Sequence, residues 1–238
     1  MIVTGVDLAW QSETNTSSVA VASVTKAQIH VSAIASDLLG VDQVCSYILN
    51  VADVSSIAID APLIIENLAG QRPCERYLSK EYGSRYASCH GSNLTLYPNP
   101  SSVLLSQLLE ARGYKHLRRD SARWQIEVYP HPAIIEFFNL SERHKYKKGR
   151  VDERRGGQAT LARYVLDAGV VLSDHLKHHF DSEYIAMLRG KALKQNEDAI
   201  GSVVCAMIAA SYAIGGDGMT FGDLETGYIY VPRPSVAD

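Results

Sequence analysis

The chain has 238 residues, of which 46% are hydrophobic and 21% are charged, and its formal net charge is −3. This length suits one domain with a substantial core, and the slightly acidic balance argues against non-specific binding to nucleic acid. The four cysteines show no Cys-x-x-Cys spacing, which gives no support to a disulfide framework or a zinc ribbon.

The sequence pattern in the first part of the chain predicts a meander of strands, then a helix and a returning strand. Its alternating apolar residues predict strands at residues 2–10, 18–25, 27–35 and 56–60. Ser36 or Asp37 can cap a helix that runs to about Val51. Short polar connections make the first three strands antiparallel, and a right-handed crossover lays the fourth strand parallel to the first and beside it.

The second part of the chain predicts one more strand of the main sheet and several helices. The fifth strand is predicted at Arg123–Pro132, where prolines stop it. Helices are predicted at residues 103–111, 156–167 and 195–214, and the tail predicts a turn and a last short strand. The polar stretch at about 66–121 is too long for a structureless loop, so it reads as a partly helical insertion in a single domain over residues 1–238.

Four acids lie in or beside apolar elements rather than in polar loops: Asp7, Asp60, Glu127 and Asp198. Asp7 and Asp60 would stand near each other, toward the carboxyl ends of adjacent parallel strands, where the ligands of open α/β sheets gather. Converging buried carboxylates repel one another and need a cation or shared protons. Each acid also has a structural explanation, such as a turn at Asp60 or a helix dipole complemented by Asp198.

The chemistry of these acids indicates a hard divalent cation. Oxygen ligands without a cluster of His and Cys favour Mg²⁺ or Mn²⁺ over zinc. Two such ions about 4 Å apart promote in-line displacement at a phosphodiester. We therefore predict a carboxylate site for two Mg²⁺ or Mn²⁺ ions.

Six segments in fixed order resemble one uncharacterised family of predicted RNase H-like nucleases. They are "GVDLAW", "IAIDAPL", "IEVYPHPA", "KYKKGR", "NEDAIGSVVCA" and "GDLETGYIYVP". The resemblance covers most of the chain and extends distantly to the Holliday-junction resolvases. It implies an RNase H-like α/β fold with a mixed five-stranded sheet in the order 3-2-1-4-5, strand 2 antiparallel. Helices would cover both faces, with the insertion between strands 4 and 5.

The resemblance also implies a site. Its catalytic and metal-binding residues would be Asp7, Asp60, Glu127 and Asp198. Many relatives carry a further acid one helical turn after the last of these, where this chain has Gly201, so the second ion is in question. Glu197 is the nearby carboxylate, and His131 is a candidate for proton transfer or metal ligation.

Basic residues offer contacts to phosphate. Residues 112–155 contain 12 Lys and Arg against 6 Asp and Glu, including Lys145, Lys147 and Lys148 in the run "RHKYKKGR". A second group interleaves arginines and tyrosines that could hold a single strand: Arg72, Arg76, Arg85, Tyr77, Tyr82 and Tyr86. Lysine runs are also common on solvated surfaces, and tyrosines at helical spacing also pack into cores.

The leading hypothesis is a metal-dependent nuclease that cleaves RNA or DNA. A non-catalytic protein that binds nucleic acid, nucleotide or a protein partner is the alternative. A sugar-kinase-like or actin-like enzyme ranks lower, because the stretch Gln11–Ser18 lacks the glycine-rich phosphate turn of those proteins. Reduced cysteines and the lack of a recognisable signal peptide or membrane span predict a cytoplasmic protein. The substrate and the oligomeric state stay open.

Overall fold

The structure, a computed structural model, describes residues 1–11, 14–26 and 28–233. It has a mixed α/β fold with a seven-stranded sheet and a separate two-stranded sheet. The strands are β1 Ile2–Asp7, β2 Thr16–Val24, β3 Ile29–Leu39, β4 Val54–Asp60, β5 Lys115–His116, β6 Trp124–Glu127, β7 Val170–Leu172, β8 Gly218–Asp223 and β9 Gly227–Pro232. The order in the larger sheet is β5-β6-β4-β1-β2-β3-β7.

Seven α-helices accompany these strands in the described part of the chain. They are α1 Gly40–Asn50, α2 Pro73–Tyr82, α3 Ser101–Glu110, α4 Pro130–Phe137, α5 Val151–Asp167, α6 Ser182–Met187 and α7 Gly190–Ala213. Short 3₁₀ segments cover Gly83–Arg85 and Asp174–Phe180. The predicted insertion therefore contains α2, α3 and β5.

The sheet topology agrees with the predicted α/β class and differs from the predicted order in detail. The first three strands form an antiparallel meander, and β4 pairs parallel to β1 with Asp7 opposite Asp60. Next to β4 lies β6, the predicted fifth strand, also parallel. Two short strands that were not predicted, β5 beside β6 and β7 beside β3, extend the sheet at both edges.

The boundary between β3 and α1 was predicted wrongly. The predicted strand starts at Ala27, which lies outside the described residues, and the predicted helix starts at Ser36 or Asp37. Instead, β3 continues to Leu39, because Leu38 and Leu39 still pair with the first residues of β2. Pairing along the hairpin outweighs the local capping signal.

The predicted fifth strand is also shorter than expected. It ends at Glu127, and Pro130 begins α4 three residues later. Proline is favoured in the first turn of a helix because its missing N–H is not needed there. The two prolines read as a strand terminator therefore start a helix.

Helices cover both faces of the sheet. Strand side chains alternate between the faces, so Val3 and Ala58 pack with the α7 side, while Val6 and Ile59 pack with α1 and α3. Residues 199–210 of α7 are all buried, in agreement with the predicted buried helix. In the described residues, no helix is long and apolar enough to cross a membrane.

The buried histidine of β5 should make the stability of the folded chain sensitive to acid. His116 Nε2 lies 2.9 Å from Ser106 Oγ, and its Nδ1 lies 2.8 Å from Tyr228 Oη. Glu110 Oε1 is 3.8 Å from Nε2, yet burial lowers the pKa of His116 to about 4. Because the unfolded pKa is about 6.5, protons favour the unfolded chain between these values, and stability should fall as the pH drops through that window.

We expect a His116→Gln variant to lose less stability on acidification than the unaltered protein. The measurement is the urea midpoint at about pH 7 and about pH 5, on either side of the His pKa of an unfolded chain. An equal loss in both proteins would show that His116 does not carry this acid sensitivity.

Candidate functional site

Two aspartates and a lysine meet at the carboxyl ends of the central parallel strands. Asp7 ends β1 and Asp60 ends β4, and their shared register places both carboxylates on the face that α7 covers. Lys147 Nζ lies 2.8 Å from Asp7 Oδ2 and 3.5 Å from Asp60 Oδ2. Burial disfavours the ammonium, but Asp7, Tyr146 and Asp60 raise the pKa of Lys147 well above its usual value. This group is therefore a permanent cation between two acids.

A third aspartate enters the same site from α7. Asp198 is 2% exposed, and its Oδ1 accepts a hydrogen bond from Lys194. Its Oδ2 is buried and has no hydrogen-bond partner among the described residues. Burial, with the charge of Asp7, raises the pKa of Asp198 to about 7, and burial likewise raises the pKa of Asp60 to about 7. These carboxyls can exchange protons near neutral pH.

Gly201 makes room for Asp7. A Cβ at this position would lie 2.0 Å from Asp7 Oδ2. Any side chain there must push the Asp7 carboxylate out of its present place. The glycine at this position is thus matched to the position of Asp7 in this chain.

The three aspartates line a cleft of about 880 Å³. The rest of its lining includes another acid, Glu153, as well as basic and aromatic residues: Arg143, Lys145, Lys147, Lys148, Lys194, Trp10, Tyr129 and Tyr146. Its size lies within the range of pockets for small molecules and nucleotides. The combination of carboxylates and lysines in one cleft suits an anionic ligand.

The basic loop between α4 and α5 is fixed by close packing. Tyr146 is fully buried, and a Cβ on Gly157 would lie 2.1 Å from Lys145 O and 2.9 Å from Tyr146 Cα. His144 Nε2 also lies 2.7 Å from Gly157 O. Because α5 contacts the loop backbone so closely, Lys147 is directed toward the aspartates by the fold itself.

Glu127 lies on the other face of the sheet from Asp60. It is in register with Ile59 rather than Asp60, so its side chain points to the opposite face of the sheet. There its carboxylate accepts hydrogen bonds from Arg72 Nη2 at 2.6 Å, from Arg72 Nη1 at 2.9 Å and from Leu63 N at 2.8 Å. The structure thus places Glu127 in a buried ion pair.

The second predicted basic group does not line the cleft. Arg72 is 2% exposed and also pairs with Glu75 at 2.9 Å. Arg76 is exposed and donates to Gln71 O, and Arg85 pairs with Glu136 at 2.7 Å. The interleaved tyrosines are divided, with Tyr82 buried and the other two, Tyr77 and Tyr86, exposed. Of the predicted phosphate contacts, the cleft contains Lys145, Lys147 and Lys148.

The two additional candidates have different surroundings. Glu197 is buried and pairs with Arg154 at 3.0 Å and Lys194 at 3.1 Å. His131 lines the cleft, and its buried Nδ1 has no hydrogen-bond partner among the described residues. Burial, with Lys147 nearby, lowers the pKa of His131 to about 3, so it is neutral near pH 7.

The donor set fits one hard divalent ion better than two. Mg²⁺ is commonly held by one or two carboxylates together with water and substrate phosphate, and Asp7 and Asp60 form such a pair. Over residues 1–11, 14–26 and 28–233, no three His, Cys, Asp or Glu side chains lie close enough together to hold a metal. Glu127 is engaged by Arg72 and Asp198 by Lys194. The described side chains thus offer Asp7 and Asp60 as the carboxylates for one ion, and the second ion of the predicted pair stays a prediction.

Several cleft residues were not among the predicted site residues, and Lys194 and Trp10 are two of them. Lys194 lies one helical turn before Asp198, and this i,i+4 spacing was a readable signal for the pair. Trp10 lines the cleft beside β1 and packs edge-on against Tyr97 with ring centroids 4.5 Å apart. No local pattern marks that contact, because Tyr97 comes from the insertion.

Comparison with known proteins identifies the family. No curated protein and no solved structure matches the chain significantly. A family model described as "Protein of unknown function (DUF429)" matches residues 5–226, which includes all three aspartates of the cleft. The chain therefore belongs to this DUF429 family.

Proposed function

We propose that the protein hydrolyses phosphodiester bonds of RNA or DNA in this cleft. The observation that carries the proposal is that Asp7, Asp60 and Asp198 line one cleft together with four lysines and an arginine. The strand order β3-β2-β1-β4-β6, with β2 antiparallel, supports an RNase H-like assignment. In such a sheet the strand ends that carry Asp7 and Asp60 are the expected ligand position.

The residues of the cleft have separate roles in this proposal. Arg143, Lys145 and Lys148 bind backbone phosphates and position the strand. A divalent ion held by Asp7 and Asp60 would supply Lewis-acid stabilisation of the charge that develops on the reacting phosphate. Asp198 accepts a proton from the attacking water at its unpartnered Oδ2, since a carboxyl with a pKa of about 7 is a suitable base near neutral pH.

A second candidate is a protein that binds a nucleotide or nucleic acid without cleaving it. The observation that favours it is the pairing of each acid with a lysine, Asp7 and Asp60 with Lys147 and Asp198 with Lys194. Such compensation stabilises the acids without a metal, and Arg143, Lys145 and Lys148 would then bind the anion. The alternative predicts binding that is unaffected by chelators, and no turnover.

The test is cleavage of end-labelled single- and double-stranded RNA and DNA with Mg²⁺, Mn²⁺ or a chelator. We expect metal-dependent cleavage that an Asp7→Asn variant loses by more than about 100-fold, because even ligand-supporting residues cost 10- to 100-fold at metal sites. Asp174→Asn removes an exposed acid that pairs with Lys177 and should cleave like the unaltered protein. Binding without cleavage under all conditions would favour the second candidate, and equal cleavage by Asp7→Asn would refute the assignment.

A further inference from the structure

Lys147 occupies the position between Asp7 and Asp60 that a cation in this site would take. Its Nζ contacts both carboxylates, and its side chain is 23% exposed, against 10% for Asp7 and 20% for Asp60. Partly buried charges at such short distances attract more strongly than solvated ones, because water screens them less. Lys147 therefore already balances part of the negative charge of Asp7 and Asp60.

The position of Lys147 is built into the fold. Tyr146 is fully buried directly before it, and Gly157 of α5 lets the helix contact the loop backbone. Lys147 Nζ also lies 5.6 Å from the centre of the Tyr146 ring, where a cation is attracted to the aromatic face. Its neighbour Lys148 is exposed and lines the same cleft, with no ion pair to an aspartate of the site. The two adjacent lysines thus differ in their relation to the acids.

Compensation by Lys147 has a consequence for metal binding. Asp7, Asp60 and Lys147 together carry one net negative charge when all are ionised. A divalent ion that entered beside the ammonium would meet repulsion from it and would share its ligands. A divalent ion that replaced the ammonium would bind both carboxylates without sharing them with Lys147.

We propose that Lys147 is a tethered counter-ion that competes with a divalent cation for Asp7 and Asp60. In the free protein the ammonium lowers the affinity of the site for Mg²⁺ and Mn²⁺. An anionic phosphate in the cleft offers Lys147 another partner and so opens the carboxylate pair to the ion. This inference rests on the metal site of the proposed function and adds the residue that controls its occupancy.

The experiment measures Mn²⁺ binding by electron paramagnetic resonance, without substrate, in the full chain. We expect Lys147→Met to bind Mn²⁺ at least tenfold more tightly than the unaltered protein. Lys177→Met removes the same charge from an exposed lysine that does not line the cleft, so it should change the affinity less than twofold. Lys147→Gln provides a second variant, and circular dichroism establishes that each is folded.

The outcomes separate this inference from the proposed function. Mn²⁺ binding that is equal or weaker in both folded Lys147 variants would overturn the role of Lys147 and leave the metal site standing. An absence of Mn²⁺ binding in every variant would overturn the metal site, and the inference with it. Adding Asp60→Asn to Lys147→Met should remove the gain in affinity, and a gain that persists would place the ion elsewhere.

Discussion

Replacing Gly5 by alanine is expected to lower the free energy of unfolding by about 3 kcal/mol or more, the upper range for overpacking of a core. A Cβ on Gly5 would lie 2.0 Å from Ala206 N, 2.2 Å from Ser202 O and 2.6 Å from Cys205 C, all in the backbone of α7. Backbone atoms cannot rotate away as a side chain does. The strand cannot retreat either, because β1 is hydrogen-bonded to β2 on one side and β4 on the other.

The measurement is urea-induced unfolding followed by circular dichroism, with Gly156→Ala as the matched control. Gly156 lies on the exposed side of α5, and a Cβ there would meet nothing within 4 Å. Alanine in a helix interior should raise stability by up to about 1 kcal/mol relative to glycine. Similar midpoints for Gly5→Ala and the unaltered protein would contradict the close contact between α7 and β1.

Part of the site could be predicted from the sequence. Strand alternation and the right-handed crossover are local rules, and they sufficed to place Asp7 beside Asp60. The buried character of α7 was readable from its long apolar run, which brought Asp198 into the prediction. What these rules cannot give is the depth at which α7 sits, which depends on Gly5 and Gly201 meeting partners almost 200 residues away.

The direction of Glu127 could not be predicted, because it depends on strand register. A shift of one residue between β4 and β6 would turn its side chain to the face of Asp60. Its partner Arg72 comes from the insertion, 55 residues away in sequence. A glutamate after an apolar strand looks the same in sequence whether it binds a metal or an arginine.

The contact of Lys147 with Asp7 could not be predicted from the sequence either. In sequence it is one lysine of a basic run, which indicates phosphate binding for Lys145, Lys147 and Lys148 alike. Its contact with Asp7 spans 140 residues and depends on how α5 pins the loop. The contact with Asp7 therefore depends on tertiary packing, and composition alone does not distinguish Lys147 from Lys145 and Lys148.

Glu127→Gln is expected to lower the free energy of unfolding by about 3 kcal/mol, the lower end of the cost of breaking a buried ion pair. Both partners are nearly inaccessible, with side chains 2% and 3% exposed. The variant leaves the Arg72 guanidinium with Glu75 as its remaining carboxylate partner. Asp120→Asn, which breaks the solvated pair with Arg118, should leave the urea midpoint nearly unchanged.

A double variant and a metal titration separate the two roles open to Glu127. If it is a structural partner, Arg72→Met combined with Glu127→Met should cost less stability than Arg72→Met alone, because one buried carboxylate, that of Glu75, is then left without the guanidinium instead of two. Folded Glu127→Gln should also bind Mn²⁺ as the unaltered protein does, whereas Asp60→Asn should not. Loss of Mn²⁺ binding in folded Glu127→Gln would return Glu127 to the metal site, despite its position on the opposite face of the sheet. If Glu127→Gln binds Mn²⁺ and Asp60→Asn does not, the face of the sheet decides whether a carboxylate is a metal ligand or an ion-pair partner. Its proximity in sequence to a strand end does not.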